Sequence, residues 1–239
     1  MEQELRDLIV REVAARNRPD LFREPLVAFS SAHDPRYAEL KTIVDEAYLC
    51  PPELMADAQS VISYMILFTE EVVKAPQSDD PTLWGDAYHT ANALFGPINE
   101  AIIQHLTDRG FSAMRIPAAY AWDPTTLSAT WSDISAGAIA GLGTFGANNM
   151  LITEKGSGGR LGTVLTSAPL QMTTKATQNK CPYPEDGSCG LCFQICPSKA
   201  LRLDKMIARA DCEYEAGKDN KAYVCGKCIS VCPLGYIEA

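Results

Sequence analysis

Residues 141–153, GLGTFGANNMLIT, decide between two fold classes, because their glycines have the G-x-G-x-x-G spacing of a dinucleotide-binding loop. Such a loop has a strand before the glycines, a helix after them and an acidic residue about 20 positions later. Here the preceding WSDISAGAIA has helical composition, the following NNMLIT is typical of a strand, and residues 155–184 contain no Asp or Glu. The stretch therefore argues against a nicotinamide enzyme and predicts glycines that end a helix and allow close backbone approach.

Helix and strand patterns alternate through the rest of the first 175 residues. The N-terminal MEQELRDLIVREVAARN has apolar residues at helical spacing, and VISYMILF at 61–68 has the composition of a buried strand. Residues 81–110 predict two helices, because Gly96 and Pro97 interrupt the helical pattern. LIT and GTVLT predict strands on either side of the loop EKGSGGR. This alternation predicts an α+β fold with layered helices and strands.

The composition indicates an ordinary globular protein. Of 239 residues, 46% are apolar and 21% are charged, and no uninterrupted apolar run approaches the length of a membrane span. The N-terminal helix pattern lacks the order of a signal peptide, so we expect a cytoplasmic protein. The formal net charge of −9 would repel a phosphate backbone, and we therefore expect neither a nucleic acid nor a membrane as partner.

Eight of the nine cysteines lie after residue 180. They form a unit that occurs twice, C-x-x-C-x-x-x-C-P at 189–197 and again at 225–233, and a lone cysteine, Cys181 or Cys212, precedes each copy. The polar stretch TTKATQNK at 173–180 is typical of a linker. We therefore predict two domains, residues 1–175 and residues 176–239.

The doubled unit resembles the cysteine pattern of two-cluster bacterial ferredoxins, in which the cysteine before proline binds the other cluster. That resemblance assigns one 4Fe-4S cluster to Cys181, Cys189, Cys192 and Cys232, and a second to Cys212, Cys225, Cys228 and Cys196. Asp186 occupies the position of the first ferredoxin cysteine, so Cys181 would take that role across a longer loop. Zinc bound by the C-x-x-C pairs and disulfide bonds are alternatives. We interpret Cys50 as a structural thiol.

The run at 131–166, WSDISAGAIAGLGTFGANNMLITEKGSGGRLGTVLT, joined to CGLCFQICPSKAL and CGKCISVCP, resembles the epoxyqueuosine reductases and, more distantly, the reductive dehalogenases. The resemblance implies a nitroreductase-like N-terminal domain that holds base-off cobalamin, and a C-terminal ferredoxin-like domain whose two clusters supply electrons. It also implies that the loop 141–149 and the turn 156–160 line the corrinoid pocket. The cofactor-binding residues expected on this basis are Gly141, Gly143, Gly146, Asn148, Asn149 and Arg160.

Two departures from that family affect the expected substrate and the expected catalytic residues. Epoxyqueuosine reductases continue into a helical-repeat segment that helps to hold tRNA, whereas this sequence ends seven residues after Cys232. Together with the net charge, this departure argues against a tRNA substrate. The second departure is Leu127, which stands where the family has its catalytic aspartate. The proton donors that we consider are Asp123, Asp133 and Tyr120, and also Tyr88 and His89.

Three functions are compatible with these patterns. The first is an iron-sulfur oxidoreductase whose two clusters reduce a cobalamin that acts on an unknown substrate. The second is an electron-transfer protein without chemistry of its own, serving a corrinoid protein or another partner. The third is a flavin enzyme on the same core. The first would need an electron donor, either a protein or a small reductant, and would act on a small-molecule or corrinoid substrate.

Overall fold

The computed structural model describes residues 1–78, 82–116, 129–173, 180–201, 212 and 224–238. Its longer helices are α1 (Glu2–Ala14), α2 (Arg36–Ile43), α5 (Thr82–Thr107) and α6 (Asp133–Ala140). The short ones are α3 (Pro51–Leu54), α4 (Glu70–Lys74), α7 (Tyr183–Asp186), α8 (Leu191–Ile195) and α9 (Lys227–Ser230), with a 3-10 turn at Ala75–Gln77. The strands are β1 (Leu26–Ser31), β2 (Ser60–Leu67), β3 (Ala113–Arg115), β4 (Gly143–Phe145), β5 (Leu151–Thr153) and β6 (Gly159–Thr166).

A four-stranded antiparallel sheet with the strand order β1-β2-β6-β3 forms the centre of the N-terminal part. Strand β2 is buried along its whole length, as its run of β-branched and aromatic residues predicts. The register places Ser63 opposite Thr163 and Tyr64 opposite Gly162, so neighbouring strands share their two faces. Because every pairing in this sheet is antiparallel, the mixed helix and strand architecture is α+β and not a doubly wound parallel fold.

Helices cover both faces of this sheet. Ile62, Tyr64 and Ile66 point toward α1 and α5 and share their cluster with the buried residues of α1 that the sequence pattern predicts, namely Leu5, Leu8, Ile9 and Val13. The alternate β2 residues Val61, Met65 and Leu67 pack on the other face with α6. Burial of the two apolar stripes therefore fixes which face each β2 and β6 side chain occupies.

The glycine stretch at 141–153 has the local structure that the sequence predicts. Helix α6 ends at Gly141, whose φ of 92° lies in the left-handed region that favours glycine. The chain then enters β4, which pairs with β5 as a small two-stranded sheet. Helix precedes the glycines and strand follows them, so the argument against a dinucleotide-binding loop is confirmed.

The prediction of two helices within residues 81–110 is wrong, because α5 runs without a break from Thr82 to Thr107 and contains Pro97. Proline removes one backbone hydrogen bond and costs about 3 kcal/mol inside a helix. Buried Leu94, Ile98 and Ile102 continue one apolar face across that position, and their packing against the sheet offsets the local cost. The predicted stop is correct, since Gly110 follows the helix with φ 84°.

No helix in the described ranges is long and apolar enough to cross a membrane.

Candidate functional site

The four cysteines assigned to one cluster surround a single cavity of about 310 Å³. Cys181, Cys189 and Cys192 reach this cavity from the first cysteine unit, and Cys232 reaches it from the second. Burial first, and then the neighbouring thiols of Cys232 and Cys181, raise the pKa of Cys192 to about 11. Burial also raises the pKa of Cys232, with further contributions from Cys181 and Cys189. A positively charged metal centre would favour loss of the protons from Cys192 and Cys232, because metals bind the thiolate form.

The other four cysteines are neighbours as well. Burial raises the pKa of Cys228 to about 12, and the thiols of Cys225, Cys212, Cys192 and Cys196 raise it further in that order. Burial alone would raise the pKa of Cys196, but hydrogen bonds from Leu201, Ser198 and Ala200 outweigh it and lower the pKa. Cys232 thus lies with the first unit, and Cys228 has both Cys192 and Cys196 of the first unit among its neighbours.

The described residues contain neither a disulfide nor a compact site for a single metal ion. All nine cysteines are described, and none of them forms a disulfide. Within the described ranges no three Cys, His, Asp or Glu side chains converge tightly enough to hold a single metal ion. A cluster of four irons and four sulfides is larger than one ion, so its cysteine ligands stand farther apart than the ligands of zinc. Cys50 lies apart from the other cysteines, at the start of α3.

The C-terminal cysteine segment docks on the N-terminal part through backbone contacts. The backbone N–H of Ser157 donates to the carbonyl of Leu234 at 3.0 Å, and that of Gly158 donates to Gly235 at 2.8 Å. Asn148 Nδ2 donates to the carbonyl of Cys228 at 3.3 Å. The turn at 156–160 and the loop at 141–149 are therefore contact points for the cluster-binding segment.

The six residues expected to bind a corrinoid lie at several places among the described residues. Gly141 and Gly143 border a cavity of about 660 Å³ beside α1 and β1, whereas Asn148 borders the cysteine cavity. A Cβ on Gly146 would contact Ile152, and Asn149 adopts a turn conformation with φ 58°. Arg160 lies on the α5 face of the sheet.

Arg160 belongs to a polar group that the sequence reveals only in part. Its Nε donates to Asn92 Oδ1 at 3.0 Å, and its guanidinium lies 4.4 Å from the ring centroid of Tyr88. Tyr88, one of the considered proton donors, therefore has a fixed cation above its ring. Asn92 was not among the predicted site residues, although its position four residues after Tyr88 places both on one helix face.

Asp133 lies at the first turn of α6, on the opposite face of the sheet. Its Oδ1 accepts hydrogen bonds from Thr163 Oγ1 at 2.5 Å and from Trp131 Nε1 at 3.2 Å. Asp133 keeps a partly exposed surface, but its carboxyl lies deep among protein atoms. This burial raises its pKa, and the hydrogen bonds from Thr163 and Trp131 and the charge of Arg160 offset only part of the rise. The group can therefore hold a proton at higher pH than an ordinary aspartate.

The other two predicted proton donors, Tyr120 and Asp123, lie outside the described residues. His89 is exposed on α5, and its ring lies 5.5 Å from that of Tyr88.

Comparison with known proteins supports the family suggested by the sequence, although no protein-family model matches the chain. The epoxyqueuosine reductase of Listeria monocytogenes is 26% identical over 213 residues, which cover 80% of this chain and 52% of that protein. That of Lactococcus garvieae is 26% identical over 207 residues, or 77% of this chain and 54% of its own length. The chain thus spans about half the length of the curated relatives that it matches.

Solved structures of the same two families share the fold. Epoxyqueuosine reductase from Streptococcus thermophilus matches with a TM-score of 0.60 and 15% identity over 96% of this chain and 66% of that one. A catabolic reductive dehalogenase in complex with 3-bromo-4-hydroxybenzoic acid matches with a TM-score of 0.66 and 16% identity, over 90% of this chain and 30% of that one. In sequence this chain is similar to the epoxyqueuosine reductases, and in fold it is similar both to them and to the reductive dehalogenases.

Proposed function

We propose that the protein is an iron-sulfur oxidoreductase that passes electrons through two 4Fe-4S clusters to a corrinoid bound by its N-terminal part. The observation that carries the proposal is the grouping of Cys181, Cys189 and Cys192 of the first unit with Cys232 of the second around one cavity. When bound, each cluster would accept and release one electron at a time. The proposal includes a nitroreductase-like domain at residues 1–175 and a ferredoxin-like domain at residues 176–239.

The corrinoid half of the proposal rests on the relatives. A structural neighbour is described as a B12-dependent dehalogenase, and the curated relatives are epoxyqueuosine reductases. A small-molecule or corrinoid substrate and an electron donor, either a protein or a small reductant, complete the proposal, and the net charge of −9 argues against a tRNA substrate.

A second candidate is an electron-transfer protein that reduces a separate corrinoid protein. The observation that favours it is the same dispersal of Gly141, Asn148 and Arg160 over different surfaces. It requires the clusters but no corrinoid on this chain.

One set of measurements separates the candidates. The full chain is reconstituted anaerobically with iron and sulfide, its iron is counted, and the absorption spectrum of added cob(II)alamin is recorded. We expect about eight irons per chain, four for each cluster, and a perturbed cobalamin spectrum. Eight irons with an unperturbed spectrum would favour the electron-transfer protein, and an iron content near zero would refute both candidates. Flavin extracted from protein purified from its native source would instead support a flavin enzyme.

A further inference from the structure

Trp84 carries a buried N–H group for which no protein partner is present in the described ranges. The side chain is only 3% exposed, and its Nε1 makes no hydrogen bond. Buried indole N–H groups nearly always have an acceptor. The position therefore calls for an acceptor beyond those that the described residues supply.

The indole lies directly against the loop between Cys225 and Cys228. A Cβ added to Gly226 would lie 2.5 Å from Cε2 and 2.7 Å from Nε1 of Trp84. Gly226 has φ 66°, so a residue with a side chain there would be strained as well as obstructed. The N–H group and the two thiols thus share one small region beside α5.

The first cysteine unit has an equivalent contact with different chemistry. A Cβ on Gly190, between Cys189 and Cys192, would lie 2.7 Å from Cε2 of Tyr183. That ring comes from the cysteine segment itself and presents carbon atoms to the loop. Only the second unit has a nitrogen donor at the corresponding place, and the donor comes from the N-terminal part of the chain.

We infer that Trp84 Nε1 donates a hydrogen bond to a sulfur of the cluster bound by Cys196, Cys212, Cys225 and Cys228. This inference rests on the iron-sulfur clusters of the proposed function. Reduction adds negative charge to the cluster sulfurs, so a donor stabilises the reduced state more than the oxidised one. Trp84 is therefore a positioning residue that raises the reduction potential of this cluster. The nearby amide of Asn148 donates to the backbone carbonyl of Cys228.

The test is a redox titration of the reconstituted full chain followed by electron paramagnetic resonance. Trp84→Phe keeps a ring and removes the N–H, and we expect one of the two reduction steps to become roughly tenfold less favourable, or about 59 mV lower for a one-electron couple. The other step should not move. Phe68→Leu is the matched control. The Phe68 ring packs edge-on against the Trp84 ring, with 5.4 Å between the ring centroids, so this variant disturbs the packing of Trp84 but keeps its N–H group. Unchanged potentials in Trp84→Phe, or equal shifts in both variants, would overturn the inference.

A second readout reports the contact itself. With ¹⁵N in the indole rings, the reduced wild-type protein should show a nitrogen hyperfine coupling to one cluster, and Trp84→Phe should lose it. If Trp84→Phe fails to retain the cluster, the wild-type coupling decides alone, and its absence refutes the contact. Iron content distinguishes failure of the proposed function from failure of this inference. A wild-type chain without iron refutes the proposed function, whereas eight irons without the nitrogen coupling refute only the role of Trp84.

Discussion

Asp133 offers the sharpest test of the buried network on the α6 face, because two substitutions separate its acceptor atom from its charge. Asp133→Ala removes the acceptor, whereas Asp133→Asn keeps Oδ1 and removes only the ionisable group. Thr163 is buried and donates to Oδ1 at 2.5 Å. We expect the two variants to differ in their free energy of unfolding.

The magnitude follows from the hydrogen bonds. Trp131 Nε1 has a second acceptor in Thr163 Oγ1 at 2.9 Å, so Asp133→Ala leaves mainly the Thr163 hydroxyl without an acceptor. An unsatisfied buried donor costs about 1–3 kcal/mol. We therefore expect Asp133→Ala to lower the free energy of unfolding by about 1–3 kcal/mol near neutral pH.

The pH dependence of Asp133→Asn has a defined sign. Burial raises the folded-state pKa of Asp133, so its contribution to stability is complete below the unfolded-state pKa and is lost as pH rises through the folded-state pKa. Over that interval the wild type loses about 1.36 kcal/mol per pH unit relative to a variant without the group. Asp133→Asn should therefore gain stability relative to wild type as pH rises, and the difference should become constant above the folded-state pKa.

The assay is anaerobic denaturant unfolding of the reconstituted protein, followed by far-ultraviolet circular dichroism, at pH values that rise from just above the unfolded-state pKa of aspartate, about 3.9, to the slightly alkaline range. Comparing variants at each pH cancels the titration of all other groups. If Asp133→Asn loses stability relative to wild type as pH rises, the carboxyl has a lowered pKa and the reasoning from burial is wrong. Equal losses in both variants would show that Oδ1 is not the important acceptor.

Other predictions concern the clusters and α5. Cys232→Ala should reduce the iron content from about eight to about four, while Cys50→Ala should keep all of it; equal iron in both variants would contradict the crossed ligand assignment. Gly226→Ala should also lose about four irons, because its Cβ would strike the Trp84 ring at 2.5 Å. Gly187→Ala has a similar φ of 71° but open space around it, so it should retain the iron; loss in both would indicate backbone strain alone. Gly96→Ala, with nothing within 4 Å of its Cβ, should stabilise the helix by about 0.5–1 kcal/mol in thermal unfolding, whereas Gly162→Ala should destabilise, since its Cβ would lie 2.6 Å from the Tyr64 ring.

The features that the sequence predicts correctly depend on neighbours along the chain. Eight consecutive buried residues identify β2, and the change from helical to extended composition locates Gly141 at the end of α6. Pro97 shows where local information is insufficient. Its effect on the backbone is local, but the apolar contacts that keep α5 continuous come from a sheet assembled from distant segments.

Arg160 shows a different limit. The alternation of β6 separates Arg160 and Gly162 from Leu161 and Thr163, and this separation can be read from the sequence. Which of the two faces meets α5 depends on non-local packing, so a resemblance that groups Arg160 with Gly141 cannot reveal that they lie on different surfaces. The cysteine assignment stays a prediction, and its basis is the duplicated unit, whose pattern in ferredoxins crosses ligands between the two copies.

Helix α5 links the cysteine segment with the polar group around Arg160. Trp84, Tyr88 and Asn92 recur every four residues and therefore lie along one face of the helix. Trp84 contacts Gly226 between two cysteines, while Tyr88 and Asn92 both contact Arg160 on β6. The same face of one rigid helix thus sets the position of the second cysteine unit relative to a cation and a phenol.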